Sequence, residues 1–267
     1  DPYYTPGPTR APSQSYTANV NPITQAKYDD GTPYYGGDPS VLVDGDTVYL
    51  YVGHDVSVGE TYNIIDYSVY SSKDLKNWDY HGAVFTTENI SWANDQISAW
   101  AGQVMERHGR YYLYYCTWDR TSKGKQSIGV AVADNPTGPF KDIGKPLVKG
   151  TTTEPQTSNW NDIDPTAWIE TDDKGVEHRY LAWGNGKLYV CELNEDMISI
   201  KDLNGDGKIT ATEKDTNGDD VAVDSPLYGD IICKKSPTSY TEAPWIYRRK
   251  DANGKPYGKY YLFYAYG

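Results

Sequence analysis

Asp162-Ile163-Asp164-Pro165-Thr166, followed by the strand-like run Arg179-Tyr180-Leu181-Ala182-Trp183, decides the fold because the chain repeats the same phrase. Gly37-Asp38-Pro39-Ser40 precedes Val48-Tyr49-Leu50-Tyr51-Val52, and Thr241-Glu242-Ala243-Pro244 precedes Tyr260-Tyr261-Leu262-Phe263-Tyr264. A fourth copy, Ala99-Trp100-Ala101-Gly102, leads into Tyr111-Tyr112-Leu113-Tyr114-Tyr115 and carries no acid. Taking Asp38, Ala101, Asp164 and Glu242 as equivalent, the intervals are 63, 63 and 78 residues. A fixed period of tens of residues marks a chain of stacked or radially arranged units.

Each unit runs in the same order: the marked residue, a Gly or Asp turn, a Tyr-rich strand, a third strand, then a polar turn and an outer segment. In the first unit Asp44-Gly45-Asp46 turns into the second strand, Tyr67 to Ser71 makes the third, and Lys73 to Trp78 leads to His81–Phe85. The second unit matches with His108-Gly109, Ile128 to Ala133 and Asn135-Pro136-Thr137-Gly138-Pro139-Phe140. Four strands per unit, joined as hairpins, is the blade of a β-propeller. The sequence therefore predicts an all-β propeller over residues 31–267, with residues 1–30, rich in Pro, Thr and Ser, as an extended N-terminal arm.

Composition agrees: 26 Tyr, 8 Trp, 25 Gly and 16 Pro in 267 residues favour strands and turns. Most of the aromatics are accounted for by sheet packing, leaving a few to offer flat faces to a ligand. The formal charge of -12 argues against nucleic acid and anionic membranes as partners. No apolar run approaches the roughly 18 residues of a membrane span. Cys116, Cys191 and Cys233 lack metal-ligand spacing; Cys116 and Cys191 sit in apolar runs and read as buried free thiols.

The third unit carries an insertion over 200–222. Asp202-Leu203-Asn204-Gly205-Asp206-Gly207-Lys208-Ile209-Thr210-Ala211-Thr212-Glu213 fits the twelve-residue EF-hand pattern. Oxygen side chains stand at positions 1, 3 and 5, Gly at 6 permits the sharp turn, and Glu at 12 offers a bidentate carboxylate. Asp202, Asn204, Asp206, the Lys208 carbonyl, Thr210 and Glu213 are thus the expected ligands of a structural calcium ion, with no organic cofactor. Asp215 to Asp220 begins like a second loop without its closing Glu.

Three acids at repeated positions of a propeller converge on its axis. Glycosidic hydrolysis needs one carboxylic acid to protonate the leaving oxygen and a second carboxylate on the opposite face. If the second activates water, configuration inverts and the two groups stand roughly 6.5–9.5 Å apart. Asp38 and Glu242, on the first and fourth units, face one another across the axis in this reading. Asp164 lies near Glu242, where a like charge favours the protonated form a general acid needs. Asp162, two residues earlier, is left outside this set. Trp100 and Trp183 are candidate stacking surfaces for a sugar, with core packing as the alternative. His54, at the end of the first unit's second strand, is a candidate contact or a satisfied structural histidine.

The segments around Asp38, Asp164 and Glu242 resemble the three signature segments of glycoside hydrolase family 43, as do Ala99-Trp100-Ala101, Ala182-Trp183-Gly184-Asn185 and Asn135 to Phe140. The match runs from about residue 30 to the end. The resemblance implies a five-bladed propeller that inverts configuration on arabinose- and xylose-containing plant polysaccharides such as arabinoxylan, arabinan and xylan. It implies Asp38 as general base, Glu242 as general acid, and Asp164 as the residue that tunes and orients the acid. The expected activity is an exo-acting α-L-arabinofuranosidase, with β-xylosidase, endo-arabinanase or a non-catalytic carbohydrate-binding propeller as alternatives. A secreted, periplasmic or cell-surface location goes with such a substrate. The period shows about four blades, the last incomplete at Gly267, so a further stretch of about 60 residues is expected as a C-terminal continuation or on a second polypeptide.

Overall fold

In the computed structural model the described residues are 13–56, 62–94, 98–153, 160–213, 216–217, 221–234 and 237–267. The first part of the N-terminal arm, residues 1–12, lies outside them, as do 214–215 and 218–220 of the insertion. The strands are β1 (Gln14–Thr17), β2 (Gly36–Asp44), β3 (Thr47–Asp55), β4 (Ile64–Ser72) and β5 (Asn77–Thr86), then β6 (Gln103–Arg107), β7 (Arg110–Asp119), β8 (Lys125–Ala133) and β9 (Lys141–Asp142). A four-residue helix, α1 (Gly150–Thr153), precedes β10 (Thr166–Thr171), β11 (Glu177–Trp183), β12 (Leu188–Glu192) and β13 (Ile231–Lys234). β14 (Tyr240–Lys250) and β15 (Pro256–Tyr266) end the chain.

The fold is all-β, in four antiparallel sheets ordered β1-β5-β4-β3-β2, β6-β7-β8-β9, β10-β11-β12-β13 and β14-β15. Within each sheet consecutive strands are neighbours, mostly through short connections, except that β1 pairs with β5 rather than β2 and the insertion separates β12 from β13. Part of the arm adds a strand: Gln14 to Thr17 pair with Tyr80 to Asn77 of β5. The chain divides into two compact units, residues 1–118 with 129–145 and residues 119–128 with 146–267.

Burial follows strand position. β2 alternates, with Ser40 and Leu42 buried and Val41 and Val43 exposed, the pattern of a strand covered on one face. The interior strands β3, β4 and β7 are buried almost continuously, and their Tyr-, Val- and Ser-rich sequences give a side chain to pack on both faces. In the first unit Leu42, Tyr51, Tyr67, Phe85, Leu113, Tyr115 and Phe140 belong to one apolar cluster. A second cluster joins Tyr28 of the arm and Tyr34 to Leu50, Tyr70, Trp78 and Tyr80. Each such side chain, fully buried, contributes about 1.5–3 kcal/mol. In the second unit Ala182, Leu188 and Tyr240 pack with Trp168, Ile246 and Leu262. Cys116 and Cys191 are buried and Cys233 half-buried, all three free thiols.

One local device recurs. Gly37 pairs with Gly53 and Ser40 with Tyr51, so Asp38-Pro39 bulges opposite Val52 alone. Glu242 pairs with Ala265 and Trp245 with Phe263, leaving Ala243-Pro244 opposite Tyr264. Gly184 N donates to Ile163 O while Thr166 pairs with Ala182, which puts Asp164-Pro165 opposite Trp183. Trp100 N donates to Cys116 O and Gln103 pairs with Tyr114, which puts Ala101-Gly102 opposite Tyr115. Three of the four slots are left-handed: Asp38 has φ 47°, Asp164 φ 58° and Ala243 φ 55°. Non-glycine residues rarely adopt that region, and strain of this kind collects at functional sites.

The register corrects the repeat. The fourth residue equivalent to Asp38, Ala101 and Asp164 is Ala243, and Glu242 stands one position earlier. The sequence cannot show this by counting from acid to acid. The proline that follows the slot in three of the four copies is the better marker.

Candidate active site

The chain's buried acids divide by how they are held. Asp66, Asp119, Asp162 and Asp230 are almost wholly buried, and each accepts several hydrogen bonds. Asp119 takes the Thr121 N–H and the hydroxyls of Thr121, Ser122 and Ser127. Asp162 takes Trp183 Nε1 at 2.7 Å and the Thr153 hydroxyl. A buried carboxylate saturated by donors is a structural anchor.

Glu242 is held differently. It is half-buried at the start of β14, and its one side-chain hydrogen bond among the described residues comes from Asn185 Nδ2 to Oε2, at 2.8 Å. Asp164 is brought to the same place: its Oδ2 accepts the Ala243 N–H at 2.9 Å, so it grips the residue next to Glu242. Tyr240 lies beside both acids. Burial first, then Asp164 and Glu242, push its hydroxyl well above the usual tyrosine range. That hydroxyl donates to Gly184 O at 2.6 Å, and Gly186 N donates to Thr241 O at 2.6 Å. The β11–β12 turn therefore clasps the strand that carries Glu242.

Asp38 stands in the first unit, exposed at its bulge in β2. Trp100, beside the neutral slot Ala101, is half-buried, with its ring edge-on to Trp118 at 5.7 Å between centroids. Two expected sugar contacts take other places. Trp183 is completely buried, stacked on Tyr189 and tied to Asp162, so it has no face to offer a sugar. His54 is 3% exposed; its Nδ1 meets Asp66 Oδ2 at 3.0 Å, its Nε2 meets the Tyr28 hydroxyl at 2.6 Å, and Tyr34 stacks on its ring. It is the satisfied structural histidine of the two readings. Asn185 was not singled out as a site residue from sequence, although it closes the Ala182-Trp183-Gly184-Asn185 segment; only its contact with Glu242 marks it.

In the insertion, Asp202 accepts the N–H groups of Gly205 and Gly207, Asn204 that of Asp206, and Asp206 that of Lys208. These turns order the first half of the loop, and the all-oxygen donor set suits calcium. Leu203 N and Thr210 N, from the two halves of the loop, both donate to the buried Asp230. Among the described residues no three carboxylate, imidazole or thiolate groups gather as a metal site.

The family model for glycosyl hydrolases family 43 matches residues 21–267, and the chain belongs to that family. It is 28% identical over 265 residues to a xylosidase/arabinosidase from Bacteroides ovatus, covering 87% of this chain and 71% of the relative. It is 30% identical to an extracellular exo-α-(1→5)-L-arabinofuranosidase from Cellvibrio japonicus, covering 86% and 58%. Among solved structures it resembles an α-L-arabinofuranosidase from Clostridium thermocellum, with 31% identity, a TM-score of 0.60, and coverage of 86% of this chain and 63% of that one. The chain thus spans between just under three fifths and about seven tenths of these relatives. No helix among the described residues is long and apolar enough to cross a membrane.

Proposed function

We propose that the chain is an inverting glycoside hydrolase that releases a terminal pentose from arabinoxylan, arabinan or xylan, with α-L-arabinofuranose as the favoured sugar. Glu242 is the general acid, Asp38 the general base that activates water, and Asp164 the residue that orients and tunes the acid. The observation that carries this reading is the pairing of Asp164 with the backbone beside a half-buried Glu242 that keeps Oε1 free. A carboxyl group with one oxygen held and the other open is suited to deliver a proton to a leaving oxygen. The arrangement belongs on a five-bladed propeller, and Trp100 is its stacking surface. β-Xylosidase action is the second reading, favoured by the double activity in the name of the Bacteroides ovatus relative. A secreted enzyme agrees with the extracellular Cellvibrio japonicus relative, and a structural calcium ion on the 202–213 loop completes the proposal.

The test is hydrolysis of nitrophenyl α-L-arabinofuranoside and nitrophenyl β-D-xyloside by the complete protein, with the first-formed anomer read by NMR. Turnover of the arabinofuranoside with inversion is expected. Glu242→Gln should lose on the order of 10²–10⁴-fold in kcat on an unactivated arabino-oligosaccharide while still binding it. Hydrolysis of neither glycoside, or retention of configuration, would overturn the reading.

A further inference from the structure

The geometry points to Asn185 as the positioning residue of the acid: its side-chain amide holds Glu242 Oε2 and so leaves Oε1 to carry and deliver the proton. This rests on Glu242 being the general acid. An amide nitrogen can only donate. Asn185 Nδ2, 2.8 Å from Oε2, therefore requires Oε2 to accept, and a neutral carboxyl in that contact has its proton on Oε1. The same bond strengthens when the carboxyl ionises, because a hydrogen bond to a charged acceptor is stronger than one to a neutral acceptor. Asn185 thus fixes the direction of proton delivery and stabilises the carboxylate left behind.

The turn that presents Asn185 is itself pinned. Asn185 N donates to Asn161 O at 3.2 Å and Gly184 N to Ile163 O at 2.9 Å, both on the segment leading to Asp164. On the other side Gly186 N donates to Thr241 O at 2.6 Å, and the Tyr240 hydroxyl to Gly184 O at 2.6 Å. Residues 184–186 therefore bridge the segments that carry the two acids, and the Asn185 side chain is delivered with little freedom to rotate away. Preorganisation of this kind is what makes a single donor matter in a reaction.

A residue that acts through the acid has a signature that a merely structural one lacks. Departure of an alkoxide needs a proton; departure of a dinitrophenolate does not. Asn185→Leu, which nearly keeps the shape and removes the donor without adding a charge, should lose on the order of 10- to 100-fold in kcat/KM on an unactivated oligosaccharide. On the dinitrophenyl glycoside of the same sugar it should lose less than about threefold. Asn185→Ala should show the same pattern, and either variant combined with Glu242→Ala should be no slower than Glu242→Ala alone. Equal losses on both substrates, or additive losses in the double variant, would overturn the assignment of Asn185 while leaving the acid intact. If Glu242→Ala itself shows no dependence on the leaving group, the acid assignment falls and that of Asn185 falls with it. Should Asn185→Ala not fold, the near-isosteric Asn185→Leu carries the test.

Discussion

At the scale of single residues, burial and hydrogen bonding separate side chains that look alike in the sequence. Trp100 and Trp183 both stand beside a repeat slot, yet the first is half-buried and the second is sealed, with its Nε1 donating to Asp162. Trp183→Phe should therefore cost about 2–4 kcal/mol of stability, read by denaturant unfolding, because it opens a void and deprives Asp162 of a donor. A sugar-stacking role predicts the opposite, a raised KM on a protein of unchanged stability. The acids sort by the same rule. Asp164 and Glu242 stand out in the sequence because a proline follows within two residues in a repeated phrase, whereas the buried acids Asp66, Asp119 and Asp230 have no such frame. Their donors come from residues such as Tyr34, Ser127 and Thr210, and only folding brings those into reach.

At the scale of elements, the β11–β12 turn is the part on which the site depends. Gly184 has φ 138°, and a Cβ there would lie 1.9 Å from Lys187 O. No side chain fits, because the neighbour is backbone and cannot rotate away. Gly184→Ala should destabilise by about 2–4 kcal/mol and, in whatever folds, lower kcat by displacing Asn185 from Glu242. Thermal unfolding and turnover measured on the same preparation check both; an unchanged melting temperature would show that the turn yields. The strands themselves were legible, since Tyr-rich runs between Gly and Asp turns became β3, β7, β11 and β15. The arm was less so. Gln14 to Thr17 add to β5 as a strand, and a short polar segment carries no periodicity to reveal which edge it will join.

At the scale of the whole molecule, the order of the sheets follows the repeat, and the insertion stands outside it. Its loop motif is complete in sequence, and Thr210 is engaged by Asp230 from outside the loop. If calcium binds as proposed, the ion at a hundredfold excess over its Kd should stabilise the protein by about 2.7 kcal/mol, seen as a higher melting temperature than in chelator. Identical melting in both would confine the motif to an ordinary turn. The paired bulges have a different consequence. The left-handed slot closes around alanine at 243 as it does around aspartate at 38 and 164, so the backbone does not depend on the charge it displays. Carboxylates can then be moved from one socket to another without redesigning the scaffold, and substitutions confined to these positions vary the chemistry on a fixed architecture.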